Sequence, residues 1–283
     1  MWYTKYLQWY DRPFAGITPE VLDMVREKND RLNSDSPLVS IVIIAHNEEK
    51  HLISCIWSLL DNHFDFPIEL ITVNNNSTDH TEELLQRLDV TYYNEDKKGP
   101  GYARQCGLDH AKGKYYLCID ADTIYPPYYI TTHIKELLKP GIVCSHSLWS
   151  FIPDASHSKA SLFAYESLRD MFLYLQAIKR PELSVRGMTL GFNTELARRI
   201  GFRTDIIRGE DGYLAFQLKQ YGKITFIHSR KARVVTGYGT LEKDGSFFRS
   251  FKIRFAEQFK HLFSLFSKKM NYEDDESNIL DKF

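Results

Sequence analysis

The stretch Lys114-Tyr115-Tyr116-Leu117-Cys118-Ile119-Asp120-Ala121-Asp122 reads as a β-strand that stops on two carboxylates one residue apart. An unbroken run of Tyr, Leu, Cys and Ile suits a parallel sheet, where both faces are covered and alternation is lost. In open α/β sheets ligands bind beyond the carboxyl ends of the strands, which is where Asp120 and Asp122 fall. Hard oxygen donors in small number suit Mg²⁺ or Mn²⁺ shared with phosphates, so a nucleoside diphosphate is the first ligand to consider. An Asp-x-Asp triplet arises by chance about once in a chain of this size, so the surrounding pattern has to decide.

That pattern is an alternation. Leu38 to Ala45 is an apolar β run, and His46-Asn47-Glu48-Glu49 is expected to open a helix with Leu52, Ile56, Leu59 and Leu60 on one face. A second strand, Ile68 to Val73, ends in Asn74-Asn75-Asn76-Ser77-Thr78-Asp79, and a helix runs on through Leu88. A short strand, Val90 to Tyr93, a Gly-rich loop and a further helix lead to the Asp120 strand. Strands and helices in this rhythm predict an α/β fold with a mostly parallel sheet flanked by helices and all the polar clusters at one edge. The expected division is a leader over 1–37, a main domain over 38–240 with its nucleotide-binding half at 38–140, and an amphipathic C-terminal helix and tail over 241–283.

Lysine and arginine number 36 against 37 acidic residues, so no global field recruits nucleic acid and any anion binding must be local. Cys55, Cys106, Cys118 and Cys144 show no C-x-x-C spacing, and three of them sit in core-like segments, which fits a reducing compartment. With no apolar run near the roughly 20 residues of a membrane span and no signal-like start, the chain reads as cytoplasmic.

Each polar cluster also has a structural explanation. Asn47 or Ser77 can cap the helix that follows, and Asp79 adds favourable charge to a first turn. Lys97-Lys98-Gly99-Pro100-Gly101-Tyr102-Ala103-Arg104 brings flexible backbone and three cations to a helix start, which suits a phosphate-bearing ligand, although it lacks Walker spacing. Arg208-Gly209-Glu210-Asp211-Gly212 either supplies a general base at the mouth of a site or acidifies a helix N-terminus.

Taken in order, Ala45-His46-Asn47-Glu48, Asn74 to Asp79, Gly99 to Arg104, Asp120-Ala121-Asp122, Gly191-Phe192-Asn193 and Glu210-Asp211 resemble the family 2 inverting glycosyltransferases of GT-A fold, over roughly residues 38–236. The resemblance implies transfer of a sugar from a nucleotide diphosphate donor, most readily a UDP-sugar, to a hydroxyl of a carbohydrate, glycolipid or protein acceptor. It assigns Asp122 to a Mg²⁺ or Mn²⁺ ion, Asp120 to the ribose or a metal-bound water, and Asp211 to the general base with Glu210 orienting it. It makes 141–240 the acceptor half, and Ala45, Asn47, Glu48, Asn75, Gly99, Arg104 and Ala121 the donor-side residues. The family commonly has Pro at the place of Ala45 and aspartates at those of Asn74 and Asn75. An amide at Asn75 can still pair with uracil, since it both donates and accepts. His228 is a candidate third metal ligand, by analogy with related enzymes.

A nucleotidyltransferase of similar fold would carry a Gly-rich basic loop straight after the first strand, which His46-Asn47-Glu48-Glu49 does not supply. A catalytically silent nucleotide-sugar scaffold is the other alternative, and a cell-envelope glycan or polysaccharide the default setting. Ser158 to Ile178 is expected to be an amphipathic helix packed on the sheet, and Arg180 to Met188 a loop able to order over donor or acceptor. Phe247, Phe251, Phe255, Phe259 and Phe263 form an aromatic stripe with basic residues elsewhere, so 246–269 could lie on an anionic membrane, pack on its own domain or join a homo-oligomer.

Overall fold

The computed structural model describes residues 1–238 apart from 31, 33 and 154–158, so the expected C-terminal helix lies outside the described residues. Helices α1 (Thr4–Leu7) and α2 (Pro19–Asp30) precede β1 (Val39–Ala45), α3 (Leu52–Leu60), β2 (Ile68–Asn75), α4 (Thr81–Arg87), β3 (Tyr92–Glu95), α5 (Pro100–His110) and β4 (Tyr115–Asp120). Then come β5 (Thr123–Ile124), α6 (Tyr129–Leu137), β6 (Ile142–Ser147), β7 (Trp149–Phe151) and α7 (Lys159–Lys179). The chain continues through β8 (Leu190–Asn193), α8 (Thr194–Ile200), α9 (Glu210–Leu218), β9 (Lys223–Ile227) and β10 (Val234–Thr236).

Among the described residues seven strands form one sheet in the order β3-β2-β1-β4-β8-β6-β9, parallel throughout except for β8, which runs antiparallel to both neighbours. The α/β expectation holds. Register pairs Ala45 with Asn74, Ile44 with Asp120 and Asn75 with Glu95, so the polar ends of β1, β2, β3 and β4 are level at one edge. Strand order reverses at β1, which lies between β2 and β4, and that is where open sheets leave a crevice. A small sheet, β5-β10-β7, stands beside it.

Unbroken apolar runs do what the parallel arrangement requires. Ile41 and Ile43 pack with Leu52, Ile53 and Ile56 on one face, while Val42, Val73, Leu108 and Tyr116 fill the other. Tyr6 of α1 and Val25 of α2 are buried, and Asp61 collects Lys5 (2.6 Å), Tyr6 (2.9 Å) and Lys28 (2.7 Å), so the leader packs on α3. All four cysteines are free, and Cys55, Cys118 and Cys144 are buried. Among the described residues no helix is long and apolar enough to cross a membrane.

Three local expectations need correction. Residues 46–49 do not open a helix, because Asn47 takes a positive φ of 58° and α3 begins only at Leu52. The third strand runs two residues later than expected, because Val90 donates its N–H to Leu85 O (3.2 Å) and closes α4 instead of pairing. Helix α7 buries only part of its expected apolar stripe: Leu162 and Phe172 go inward, while Phe163, Leu168 and Leu175 stay out. It turns Glu166, Arg169 and Asp170 inward and leaves Phe163, Met171, Leu175 and Ile178 exposed.

Candidate active site

The level strand ends open into a cavity of about 330 Å³ whose lining includes Ala45, His46, Glu48, Asn75, Lys98 and Asp122. A second cavity of about 510 Å³ has Trp149, Phe151, Tyr165, Arg186 and Arg208 in its walls. The two meet at Pro100, Asp120, Asp122, Glu210 and Asp211, so the carboxylates singled out in the sequence stand at a junction between two binding spaces. Segment 180–188 is not an open loop. It forms two short 3-10 turns, Pro181–Ser184 and Gly187–Thr189, along the second cavity, with Glu182 fully buried between Arg180 (2.5 Å) and Lys219 (3.1 Å).

Arg104 organises the junction. Its side chain projects from α5, is about as buried as any in the protein, and donates from Nη2 to Asp120 Oδ1 (2.5 Å) and from Nη1 to Ile119 O (3.3 Å). Its Nε stands 3.3 Å from Asp211 Oδ1, as a charge contact without hydrogen-bond alignment. One guanidinium therefore joins the carboxylate at the end of β4 to the carboxylate at the start of α9. Gly187 covers the pair, since a Cβ there would lie 2.9 Å from Asp211 Cγ and closer still to Arg104 Nη2.

Burial and neighbouring negative charge push both α9 carboxyls upward, against the pull of Arg104. The two carboxyls titrate as a pair, and the Arg104 guanidinium beside Asp211 favours the ionised form. A buried carboxylate raised in this way is a stronger base than a solvated one.

Asp122 lies at the same junction. Its carboxyl is pushed up to about 7, by burial first and then by Asp120 and Glu48. Its main-chain carbonyl accepts from Tyr10 Oη (2.7 Å) and from Thr236 Oγ1 (3.4 Å). His51 lies between Glu48 (2.7 Å) and Asp11 (2.8 Å); burial acts to lower it, but the two carboxylates raise it to about 9. Crowded carboxyl oxygens facing a cavity are a donor set that fits a hard divalent cation. Among the described residues no three His, Cys, Asp or Glu form a ready cage, so such an ion would take further oxygens from phosphate or water.

The other expected residues divide. Ala45, Glu48, Asn75, Gly99, Arg104, Asp120 and Ala121 line the first cavity, but Asn47 does not. Its Oδ1 accepts from Thr78 N (2.7 Å) and ties the β1 loop to the β2 loop. Asn75 has no amide N–H left to donate to a base. Its Nδ2 donates to Glu95 O (3.0 Å) and Lys97 O (2.7 Å), and its Oδ1 accepts from Gly99 N (2.9 Å), so its amide holds the loop before α5. His228 is exposed after β9, against Phe226 (4.3 Å) and Tyr174 (5.2 Å). Three strand spacings separate β9 from β4, about 14 Å, so the sheet does not bring His228 to Asp122. Asn193 caps α8 by accepting from Leu196 N (3.0 Å), a structural role for its motif.

Sequence reading missed Tyr10, His51 and the aromatic wall of Trp149, Phe151 and Tyr165, and had Gly187 only as part of the Arg180 to Met188 segment. Tyr10 and the wall come from segments remote from the strand ends, and only topology brings them there.

The description "Glycosyl transferase family 2" matches residues 40–201, and the chain belongs to this family. A glycosyltransferase of Rickettsia prowazekii is 28% identical over 260 residues, covering 86% of this chain and 75% of that one. A Rickettsia typhi glycosyltransferase is 28% identical over 212 residues, covering 69% of this chain and 63% of that one. Among solved structures, Staphylococcus aureus TarS residues 1–349 with UDP superposes with a TM-score of 0.54 at 19% identity, covering 70% of this chain and 60% of that one. The mannosyltransferase PcManGT of Pyrobaculum calidifontis, with GDP-Man and Mn²⁺, gives 0.54 at 17% identity, covering 83% and 68%. The likeness to these structures establishes the GT-A fold.

Proposed function

We propose that this protein is an inverting glycosyltransferase that moves a sugar from a nucleoside diphosphate donor, with UDP-sugars first in line, to an acceptor hydroxyl. The observation that carries the proposal is the meeting of two cavities at Asp120, Asp122 and Asp211 around one buried guanidinium. The TarS complex with UDP and the PcManGT complex with GDP-Man and Mn²⁺ share the fold and define which nucleotides to try.

In this reading the nucleotide lies in the first cavity, with its diphosphate toward Asp122 and Lys98. Asp122 and Asp120 would hold Mg²⁺ or Mn²⁺, which when bound neutralises charge on the departing diphosphate. The acceptor enters the second cavity, where Trp149, Phe151 and Tyr165 offer flat apolar surface to a sugar ring. Asp211 accepts the hydroxyl proton as the acceptor oxygen bonds to the anomeric carbon and the bond from that carbon to the diphosphate oxygen breaks on the opposite face. Arg104 keeps Asp211 ionised and oriented. The acceptor proposed is a cell-envelope glycan, polysaccharide or glycolipid.

Asp211→Asn is the test. Removing a general base costs roughly 10²–10⁴-fold, so transfer should fall by that factor while nucleotide binding stays near wild type. Full transfer by the variant would remove Asp211 from the role.

A further inference from the structure

Helix α7 buries Leu162, Phe172 and Leu173 beside its charged residues and carries a second apolar face outward. Its charges face the protein: Glu166 accepts from Ser150 Oγ (2.8 Å) and Phe151 N (2.7 Å), Arg169 donates to Trp149 O, and Asp170 pairs with Arg233. Its outer face carries Phe163, Leu168, Met171, Tyr174, Leu175 and Ile178, spaced as one helical stripe. Phe163 is 71% exposed, Ile178 66% and Met171 56%, and the exposed lysines of the helix, Lys159 and Lys179, stand at its two ends. A contiguous apolar patch of this kind marks a docking surface rather than ordinary surface scatter.

We propose that the occupant is this chain's own segment 247–266. Three observations favour it over another partner. First, Phe247, Phe251, Phe255, Phe259 and Phe263 recur every fourth residue, and as a helix they form an i±4 ridge about 24 Å long. The ridge through Phe163, Ser167, Met171 and Leu175 on α7 has the same spacing, and two such ridges interdigitate at a crossing near −50°. Second, the chain arrives at the right place. Tyr238 packs on Leu162, the neighbour of Phe163, and stacks on Phe151 at 5.3 Å. Residues 239–246 can reach about 26 Å when extended, whereas Met171 lies about 14 Å along α7 from Leu162. Third, the charges are compatible: Arg249, Lys252, Arg254 and Lys260 fall off the Phe stripe and would stay in water, and the α7 stripe offers no charge for them to meet. The contact is independent of the transfer reaction proposed above.

Disulfide trapping in the full chain tests it. Cys55, Cys118 and Cys144 are buried, so a Cys106→Ser background leaves no accessible native thiol. Met171→Cys is combined in turn with Phe251→Cys, Phe255→Cys and Phe259→Cys, and with off-stripe Lys252→Cys, then oxidised with copper phenanthroline at micromolar protein. A tethered partner is present at an effective concentration on the order of mM. At least one stripe pair should therefore close within the monomer, at a rate independent of protein concentration and about tenfold or more above the Lys252 pair. A 171–171 linked dimer that grows with concentration would overturn the proposal in favour of a second copy. Unlinked stripe pairs would overturn it too, and sedimentation of that protein with phosphatidylglycerol vesicles would point to a membrane. In a second measurement, Met171→Glu with Leu175→Glu should speed proteolysis within 247–266 about tenfold. These positions are exposed, so the domain keeps its core, and an unchanged cleavage rate counts against the contact.

Discussion

Gly187→Ala places one methyl group over the Arg104 and Asp211 pair. The added carbon would stand 2.9 Å from Asp211 Cγ, and ordinary carbon contacts begin at about 3.5 Å, so the carboxylate or the Gly187 backbone must move about 0.6–1 Å. Gly187 is not among the positive-φ glycines, so alanine meets a space problem there and no backbone strain. Arg104 cannot yield alone, because its Nη2 also holds Asp120 at 2.5 Å. Misplacement of about 1 Å in a catalytic constellation costs about 10²-fold, equivalent to about 2.7 kcal/mol in the barrier. Overpacking should also lower stability by about 1–3 kcal/mol. The assay is nucleoside diphosphate release with donor and acceptor, run beside calorimetric nucleotide binding on the same folded sample. The expected outcome is kcat down about 100-fold with a much smaller change in nucleotide Kd. A folded Gly187→Ala protein with wild-type kcat would refute the assignment of this pair to the reaction.

Asp122→Ala should weaken nucleotide binding in the presence of Mn²⁺ and leave binding in EDTA unchanged; equal loss in both media would remove the metal assignment. The Asp122 carboxyl, raised from 3.8 to about 7, lets the folded protein hold a proton between those values that the unfolded chain has released. This group therefore favours folding more at pH 5 than at pH 8. Mn²⁺ must displace that proton, so Mn²⁺ should raise Tm more at pH 8 than at pH 6, and equal shifts would contradict the site. Tyr10→Phe removes one hydrogen bond to the Asp122 carbonyl, about 1 kcal/mol. Metal-dependent nucleotide affinity should drop about fivefold with kcat little changed, and an unaltered affinity would show that the leader does not support the donor side.

Legibility in the sequence followed the range of the interactions. The runs Val39–Ala45 and Tyr115–Asp120 are buried on both faces, so composition alone marked them as central parallel strands, and their shared edge followed from the alternation with helices. Asp120, Asp122 and Asp211 were readable because each closes or opens an element. Arg104 was found as a cation near phosphate, yet its guanidinium is spent on two carboxylates, a pairing set by tertiary distance. Asn75 misled for the same reason: its residue type allows base pairing, but three backbone groups of the neighbouring loop already use its amide. Helix α7 was located to within a residue and its face was read in part: Leu162 and Phe172 are buried, but Phe163, Leu168 and Leu175 are not, because Glu166 and Asp170 find Phe151 N and Arg233 on elements that local periodicity cannot see.

Nucleotide-sugar transfer is tested most directly by calorimetric titration of UDP, GDP, CDP and dTDP into the full chain, first with Mn²⁺ and then with EDTA. One nucleotide should bind in Mn²⁺ and lose about tenfold or more in affinity, at least about 1.4 kcal/mol, when the metal is removed. Folded protein that binds none of the four would overturn the proposed function, leaving the two cavities and their carboxylates without a nucleotide ligand.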